Sequence, residues 1–261
     1  MTRHRWGLPR RSRGAAKAGH VALERAMSKL RLASRAEAQR LVRAGAVTVN
    51  GRVVTDPLAP VVPEHDAIAV AGKTQPAPVW RTIAFHKPRG TVTTRRDPQG
   101  RRTVFDVLGE AADGLVAVGR LDLATSGLLL LTSDTRLADA LTDPANAVVR
   151  RYVVTVRGEV GDAQRETLER GVGGLAASRV EIRKRSRRET HLIVELTEGK
   201  NREIRRLFAA IDREVTRLLR VAYGPIELGT LQPGEWREIG AAELERATPP
   251  AAIARRARRS T

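Results

Sequence analysis

"GRLDLATSGLLLLTSD", Gly119–Asp134, places one carboxylate, Asp122, between an apolar run and a Thr-Ser-Gly turn, with a second apolar run directly behind. The flanking runs, "LVAVGRL" and "GLLLLTSD", are short and bounded by turn residues, which predicts two buried strands. An Asp at such a junction either caps the turn or is held against a substrate. Arg120 stands beside it, and strands that stiff would hold the carboxylate in a fixed position. The junction therefore bears on both the architecture and the chemistry.

Outward from it, strands and helices alternate. Upstream, "RTIAFHKPRGTVTT" (81–94) reads as a strand, a Pro-Arg-Gly turn and a second extended piece. Downstream, "TRLADALTD" is a short helix, "RRYVVTVRGEV" alternates as a strand, and "DAQRETLERGV" is an amphipathic helix. "RVEIRKRSRRETHLIVELTEG" predicts two strands joined by a charged turn. "NREIRRLFAAI" predicts a helix capped by Asn201, and "EVTRLLRVAYGPIELG" a further strand and loop. The fold class is α+β, built around a mostly antiparallel sheet.

A smaller module precedes this domain. "LERAMSKLRLASRAEAQRLVRAG" puts Leu30, Ala33, Ala38, Leu41 and Val42 at near-helical spacing. Ser34 followed by Glu37 fits a capping box, so a second helix starts at Ser34, and Gly45 ends it. "AVTVNGRVV" then predicts a hairpin, because Asn50-Gly51 tolerates the positive φ of a type I′ turn. Two prolines in "AGKTQPAPVW" mark a boundary. The expected organisation is a basic disordered arm (1–20), the small module (21–71), a linker (72–79), the large domain (80–247) and a basic tail (248–261).

Composition narrows the chemistry. The 261 residues carry 47 Lys+Arg against 29 Asp+Glu, a net charge of +18. Guanidinium groups match phosphate oxygens, so an excess this large and clustered points to a nucleic-acid partner. With no cysteine, disulfides, thiolate zinc sites and a Cys nucleophile are excluded. Five scattered histidines lack metal-ligand spacing, so no metal is expected. No run approaches the ~20 apolar residues of a membrane span, and the opening segment lacks the apolar stretch of a secretory signal. A soluble, cytoplasmic monomer is expected, with no cofactor and no membrane partner.

The segment "KLRLASRAEAQRLVRAGAVTVNGRVV" resembles the S-four (alpha-L) RNA-binding module, an αα-hairpin unit. The resemblance implies that it grips structured RNA by shape and backbone, with Lys29, Arg31 and Arg35 among its contacts. Four stretches in the large domain, in this order, resemble the RsuA/RluB/RluE/RluF family of ribosomal RNA pseudouridine synthases. They are "HKPRGTVTTRRDPQGRRTVFDVL", "VGRLDLATSGLLLLTSD", "RRYVVTV" and "LTEGKNREIRRLFAAIDREVTRLLRVAYGPIELGTLQPGEWREI".

By that resemblance the essential aspartate of "GRLD-x-x-T-x-G" falls on Asp122, the family tyrosine on Tyr152, and the basic residue of "N-R-x-I-R-R" on Arg205. Ile204 matches the apolar position beside the bound base, and Arg120 the arginine that holds the everted nucleotide. Lys200, Arg202 and Arg206 are candidates for a phosphate track, with Arg95, Arg96, Arg101 and Arg102. The family commonly has Lys two residues before the tyrosine, where this chain has Arg150, and Gly-His where it has Asp212-Arg213.

The implied reaction is isomerisation of a uridine in ribosomal RNA, with the large subunit slightly favoured. It breaks the ribose–nitrogen bond, turns the freed uracil, and joins carbon 5 to the sugar. A carboxylate serves either by attacking the anomeric carbon or by removing the neighbouring sugar proton. A charged Asp122 in a pocket calls for a cation, and Arg205 is expected to pair with it. The alternative is a catalytically inactive RNA-binding or ribosome-assembly factor on the same fold.

Overall fold

The computed structural model describes residues 20–30, 32–63, 66–70, 73–74 and 80–248. The expected arm, up to residue 19, the tail from residue 249, most of the linker and Arg31 lie outside the described residues. The chain divides into two compact units at Val79/Trp80. Among the described residues no helix is long and apolar enough to cross a membrane.

In the small unit, β1 (Val21–Ala22) leads into α1 (Leu23–Lys29) and α2 (Arg35–Arg43). These are followed by β2 (Val47–Val49), β3 (Arg52–Val53), β4 (Pro60–Val61), β5 (Ile68–Val70) and β6 (Lys73–Thr74). The Ser34 hydroxyl accepts from the Glu37 amide at 3.2 Å, while the Glu37 side chain turns to Arg40 instead of closing the capping box. Beyond Arg43, the Gly45 and Ala46 amides donate to the Val42 and Leu41 carbonyls, a Schellman ending that Gly45 permits at φ +71.

Asn50 and Gly51, both at positive φ, turn β2 into β3. The Asn50 side chain also binds Asp66 and the Ala67 amide, each at 2.9 Å, which pins the turn to the start of β5. Leu23, Ala26, Met27, Ala38, Val42, Val47, Val61 and Ile68 form the core of this unit. Lys73 and Thr74 pair with β5, so the expected linker begins inside the folded sheet.

In the large unit the elements run β7 (Thr82–Lys87), α3 (Val104–Leu108), β8 (Val116–Ala117), β9 (Ser126–Thr132), α4 (Thr135–Thr142), β10 (Arg150–Arg157) and α5 (Asp162–Arg170). They continue with β11 (Arg179–Arg185), β12 (Glu189–Leu196), α6 (Glu203–Ala209), β13 (Val215–Tyr223), β14 (Ile226–Glu227), β15 (Trp236–Glu238) and α7 (Ala241–Ala247). Among the described residues one nine-stranded sheet has the order β11-β12-β10-β13-β9-β7-β15, with β14 on β13 and β8 on β9. Every pairing is antiparallel except that of β9 with β13.

The four-leucine run of β9 explains itself by period two. Leu129 and Leu131 enter a core with Ile83, Phe85 and α3, while Leu128 and Leu130 enter one with Ala84 and α4. A strand buried on both faces shows no polar alternation. On the other half of the sheet, Val154, Val156, Leu192, Val194 and Leu218 pack under Leu168 of α5 and Leu207 and Phe208 of α6.

Two local expectations change. The "LVAVGRL" strand is limited to Val116–Ala117; the Val118 amide still donates to the Leu130 carbonyl at 2.8 Å, and the turn to Asp122 follows. Asn201 does not cap α6: the residue at that position is Arg202, at φ 48, without a side-chain cap. The Glu203 carboxylate accepts from the Lys200 amide at 3.1 Å and closes the turn from inside the helix instead.

Candidate active site

Asp122 sits in the turn between β8 and β9, half-buried, with its carbonyl accepting from the Thr125 amide at 3.0 Å. Thr93 clamps the preceding residue, exchanging hydrogen bonds with the Leu121 carbonyl and amide at 3.0 and 3.3 Å. On the other side, Gly127 lies at φ +109 where β9 meets β13. A Cβ there would stand 2.2 Å from the Arg220 carbonyl oxygen and 2.6 Å from its nitrogen. The glycine of the motif thus lets two backbones touch, and that contact fixes Asp122 relative to the strands beyond.

Below the turn lies Lys87, the last residue of β7, fully buried. Its Nζ donates to the carbonyls of Thr125 at 2.9 Å and Pro88 at 3.1 Å. Burial lowers its pKa to about 8; the Asp122 charge opposes that shift, and Arg220 adds to it. Arg220 is buried opposite Tyr152 in the β10–β13 ladder. It donates from Nε to the Leu128 carbonyl at 2.7 Å and stacks 5.0 Å from the Tyr223 ring. Its second terminal nitrogen and the Thr125 hydroxyl are buried without a partner among the described residues.

Arg150, where the family commonly has Lys, lies in the cleft wall and is held by buried partners. It donates to Thr197 and Leu141 carbonyls at 2.7 and 3.1 Å and to the Tyr223 hydroxyl at 2.8 Å, so it anchors the head of β10 two residues before Tyr152. Tyr152 itself is half-buried against both neighbouring cores.

A cleft of about 230 Å³ brings Arg120, Asp122, Tyr152, Lys200, Arg202, Ile204 and Arg205 together. Ile204 is only 3% exposed and belongs as much to the core as to the cleft wall. Lys200 is paired with Glu198 at 2.5 Å. Arg206 is exposed on α6 and does not line the cleft. Lys29, in the last turn of α1, and Arg35, the first residue of α2, belong to the small unit.

The expected direct pair between Asp122 and Arg205 is not formed. Arg205 donates to the Val215 carbonyl at 2.9 Å and the Ala124 carbonyl at 3.4 Å, which tie its guanidinium to backbone on two sides. Burial and then Arg202 lower its proton affinity, and the Asp122 charge raises it through space. Among the described residues, Asp122 makes no ion pair or side-chain hydrogen bond, so its carboxylate is left to the cleft.

The family model for RNA pseudouridylate synthase matches residues 81–210, and that for the S4 domain matches residues 22–66. Ribosomal large subunit pseudouridine synthase B of Escherichia coli strain K12 is 37% identical over 235 residues, covering 85% of this chain and 80% of that protein.

The chain belongs to the RNA pseudouridylate synthase family.

The synthase has further relatives of the same name in Salmonella typhimurium, 37% identical over 85% of this chain and 80% of that protein, and in Vibrio vulnificus, 39% identical over 83% and 71%. A solved pseudouridylate synthase shares the fold, with a TM-score of 0.60 and 23% identity over 87% of this chain and all of the other. The enzyme is thus an RNA pseudouridine synthase, an isomerase with an S4 RNA-binding domain. Sequence reasoning missed Lys87, Arg220 and the buried Glu203 in this synthase. Lys87 and Arg220 acquire their surroundings only through strand pairing, whereas Glu203 is buried at the start of α6 and bonds the Lys200 amide three residues before it. The available signal for Lys87 is a lysine that ends an apolar strand just before Pro88.

Proposed function

We propose that this synthase converts a uridine of large-subunit ribosomal RNA to pseudouridine, with Asp122 as the catalytic carboxylate. The observation that carries the reading is an unpaired Asp122 converging with Tyr152, Arg120 and Arg205 on one cleft, in a chain similar over most of its length to large-subunit synthases. The reaction breaks the bond from uracil nitrogen 1 to the anomeric carbon and forms one from carbon 5. Nitrogen 1 ends with a proton, carbon 5 loses one, and no electrons are exchanged.

Asp122 serves by attacking the anomeric carbon or by taking the adjacent sugar proton; both need the carboxylate aimed at the ribose. Tyr152 stacks on the freed uracil, which must stay bound while it turns, and its hydroxyl stands near to relay the carbon-5 proton. Arg205, braced by two carbonyls, supplies fixed positive charge toward the site without neutralising the acid by contact. Arg120 holds the nucleotide out of its helix, a displacement that costs a few kcal/mol offset by stacking and phosphate contacts. Lys200, Arg202 and Arg206 lie along the phosphates, and Lys29 and Arg35 contact RNA from the small unit. Asp122, Tyr152, Arg120 and Arg205 all line one cleft of a single chain, which supports a protein working as a monomer, and ribosomal RNA as substrate supports a cytoplasmic location.

The inactive-factor alternative is not favoured, because the relatives that match most of both chains carry synthase names. Asp122→Ala is expected to abolish tritium release from RNA labelled at uridine carbon 5 while RNA affinity stays within a few-fold. Persistent turnover refutes the assignment of Asp122.

A further inference from the structure

The end of β11 and its turn into β12 carry Arg183, Lys184, Arg185, Arg187 and Arg188, five cations in six residues. All five are exposed. Of the nearby acids four are already engaged, while Glu159, next to Gly158, has no ion pair with any described residue. Glu181 binds Arg179 and Arg183, Asp162 binds Arg185 at 3.3 Å, Glu189 binds His191 at 3.0 Å, and Glu214 binds Arg157 at 3.1 Å. Lys184, Arg187 and Arg188 have no ion pair with any described residue.

The tip is ordered. Ser186 exchanges backbone and hydroxyl hydrogen bonds with Glu189 at 2.9 to 3.2 Å, and the Gly158 amide donates to the Arg188 carbonyl at 2.8 Å. A register shift between Ile182 and Lys184 twists the end of β11. Three free cations at one hairpin tip repel one another, an arrangement that is relieved by a polyanion.

From Tyr152, in the cleft, β10 runs to Arg157 beside Glu189 of β12. Five residue steps along the strands and two strand spacings across place the tip about 20 Å from the cleft. A uridine everted into the cleft belongs to an RNA that continues well past that distance. Building on the function proposed above, we propose that this hairpin tip is a second RNA-contact site that takes the phosphate backbone of the ribosomal RNA beyond the segment in the cleft. The ligand chemistry is phosphodiester, held by Lys184, Arg187 and Arg188.

The test compares the full chain with its triple variant Lys184→Gln, Arg187→Gln, Arg188→Gln on two RNAs. One is a stem-loop holding the target uridine but too short to reach the tip; the other is a large-subunit fragment that extends past it. Three lost phosphate contacts lower the slope of log affinity against log salt by about 2 to 3. Between 50 and 200 mM salt the unaltered protein should therefore lose about 40-fold more affinity for the long fragment than the variant does. The short stem-loop should show equal slopes, and kcat at saturating RNA should be unchanged.

Equal slopes on the long fragment overturn the proposal and leave an acidic protein surface as the partner to seek. An equal loss on both RNAs overturns it as well, since the tip then acts as a diffuse field. If neither RNA releases tritium with the unaltered protein while the slopes differ as expected, the catalytic reading fails and the contact site stands.

Discussion

Gly127→Ala tests whether the close approach of β9 to β13 builds the active site. The added methyl carbon would lie 2.2 Å from the Arg220 carbonyl oxygen, and backbone cannot rotate away as a side chain does. A contact of about 3 Å is the least that packing tolerates, so the strands must part by nearly 1 Å. The φ of +109 adds strain of about 1–3 kcal/mol for any residue with a Cβ, and overpacking adds about the same again. The expected loss is about 3–5 kcal/mol, a large part of an ordinary domain's stability.

Function should suffer beyond that. Asp122 is five residues from Gly127, and Arg220 pairs with both Gly127 and Tyr152. A shift of about 1 Å at reacting groups costs on the order of 100-fold in rate. Gly174→Ala is the control: its φ is +72 with nothing within 4 Å of the added Cβ, so it carries strain alone, about 1 kcal/mol. Urea unfolding gives the stabilities, and tritium release at a temperature where both variants remain folded gives kcat. If Gly127→Ala matches Gly174→Ala in both measurements, the backbone contact does not set the site.

Lys87 links the site to pH. Its pKa of about 8 lies below the ordinary lysine value of 10.5, so between those values the unfolded chain binds the extra proton and stability rises with pH. The gain is at most about 3 kcal/mol, and Lys87→Met should abolish it; identical pH dependence of the urea midpoint in both proteins refutes the burial. Arg150→Lys keeps the charge but cannot span two carbonyls and the Tyr223 hydroxyl, so a loss of about 2–3 kcal/mol is expected in urea, with kcat within a few-fold. An unchanged midpoint would place Arg150 outside the buried network.

Much of this was open to reading without coordinates, for reasons that differ by element. Asn50-Gly51, Gly45 and Ser34 act on their own neighbours, and local geometry alone demands them. The leucines of β9 signalled burial through composition, but the division into two cores required Ile83 and Phe85 on one side and Ala84 on the other. Asp122, Tyr152 and Arg205 were found through motif order, although the predicted contact between two of them gave way to carbonyl bonds from Val215 and Ala124. Asn201 was misread because a capping side chain can lose to a carboxylate inside the next turn.

The amino-acid sequence by itself determined the two-part organisation, the strand and helix periods, the basic character and the motif acid, since each depends on a few adjacent residues or on composition. Only the tertiary structure decided that Lys87 is buried beside that acid, that Gly127 must lack a side chain because Arg220 lies against it, and that Arg150 is held by Leu141 and Tyr223. Those partners lie far apart along the chain. Their energies come from exclusion of water and contact between backbones, which exist only once the sheet has closed.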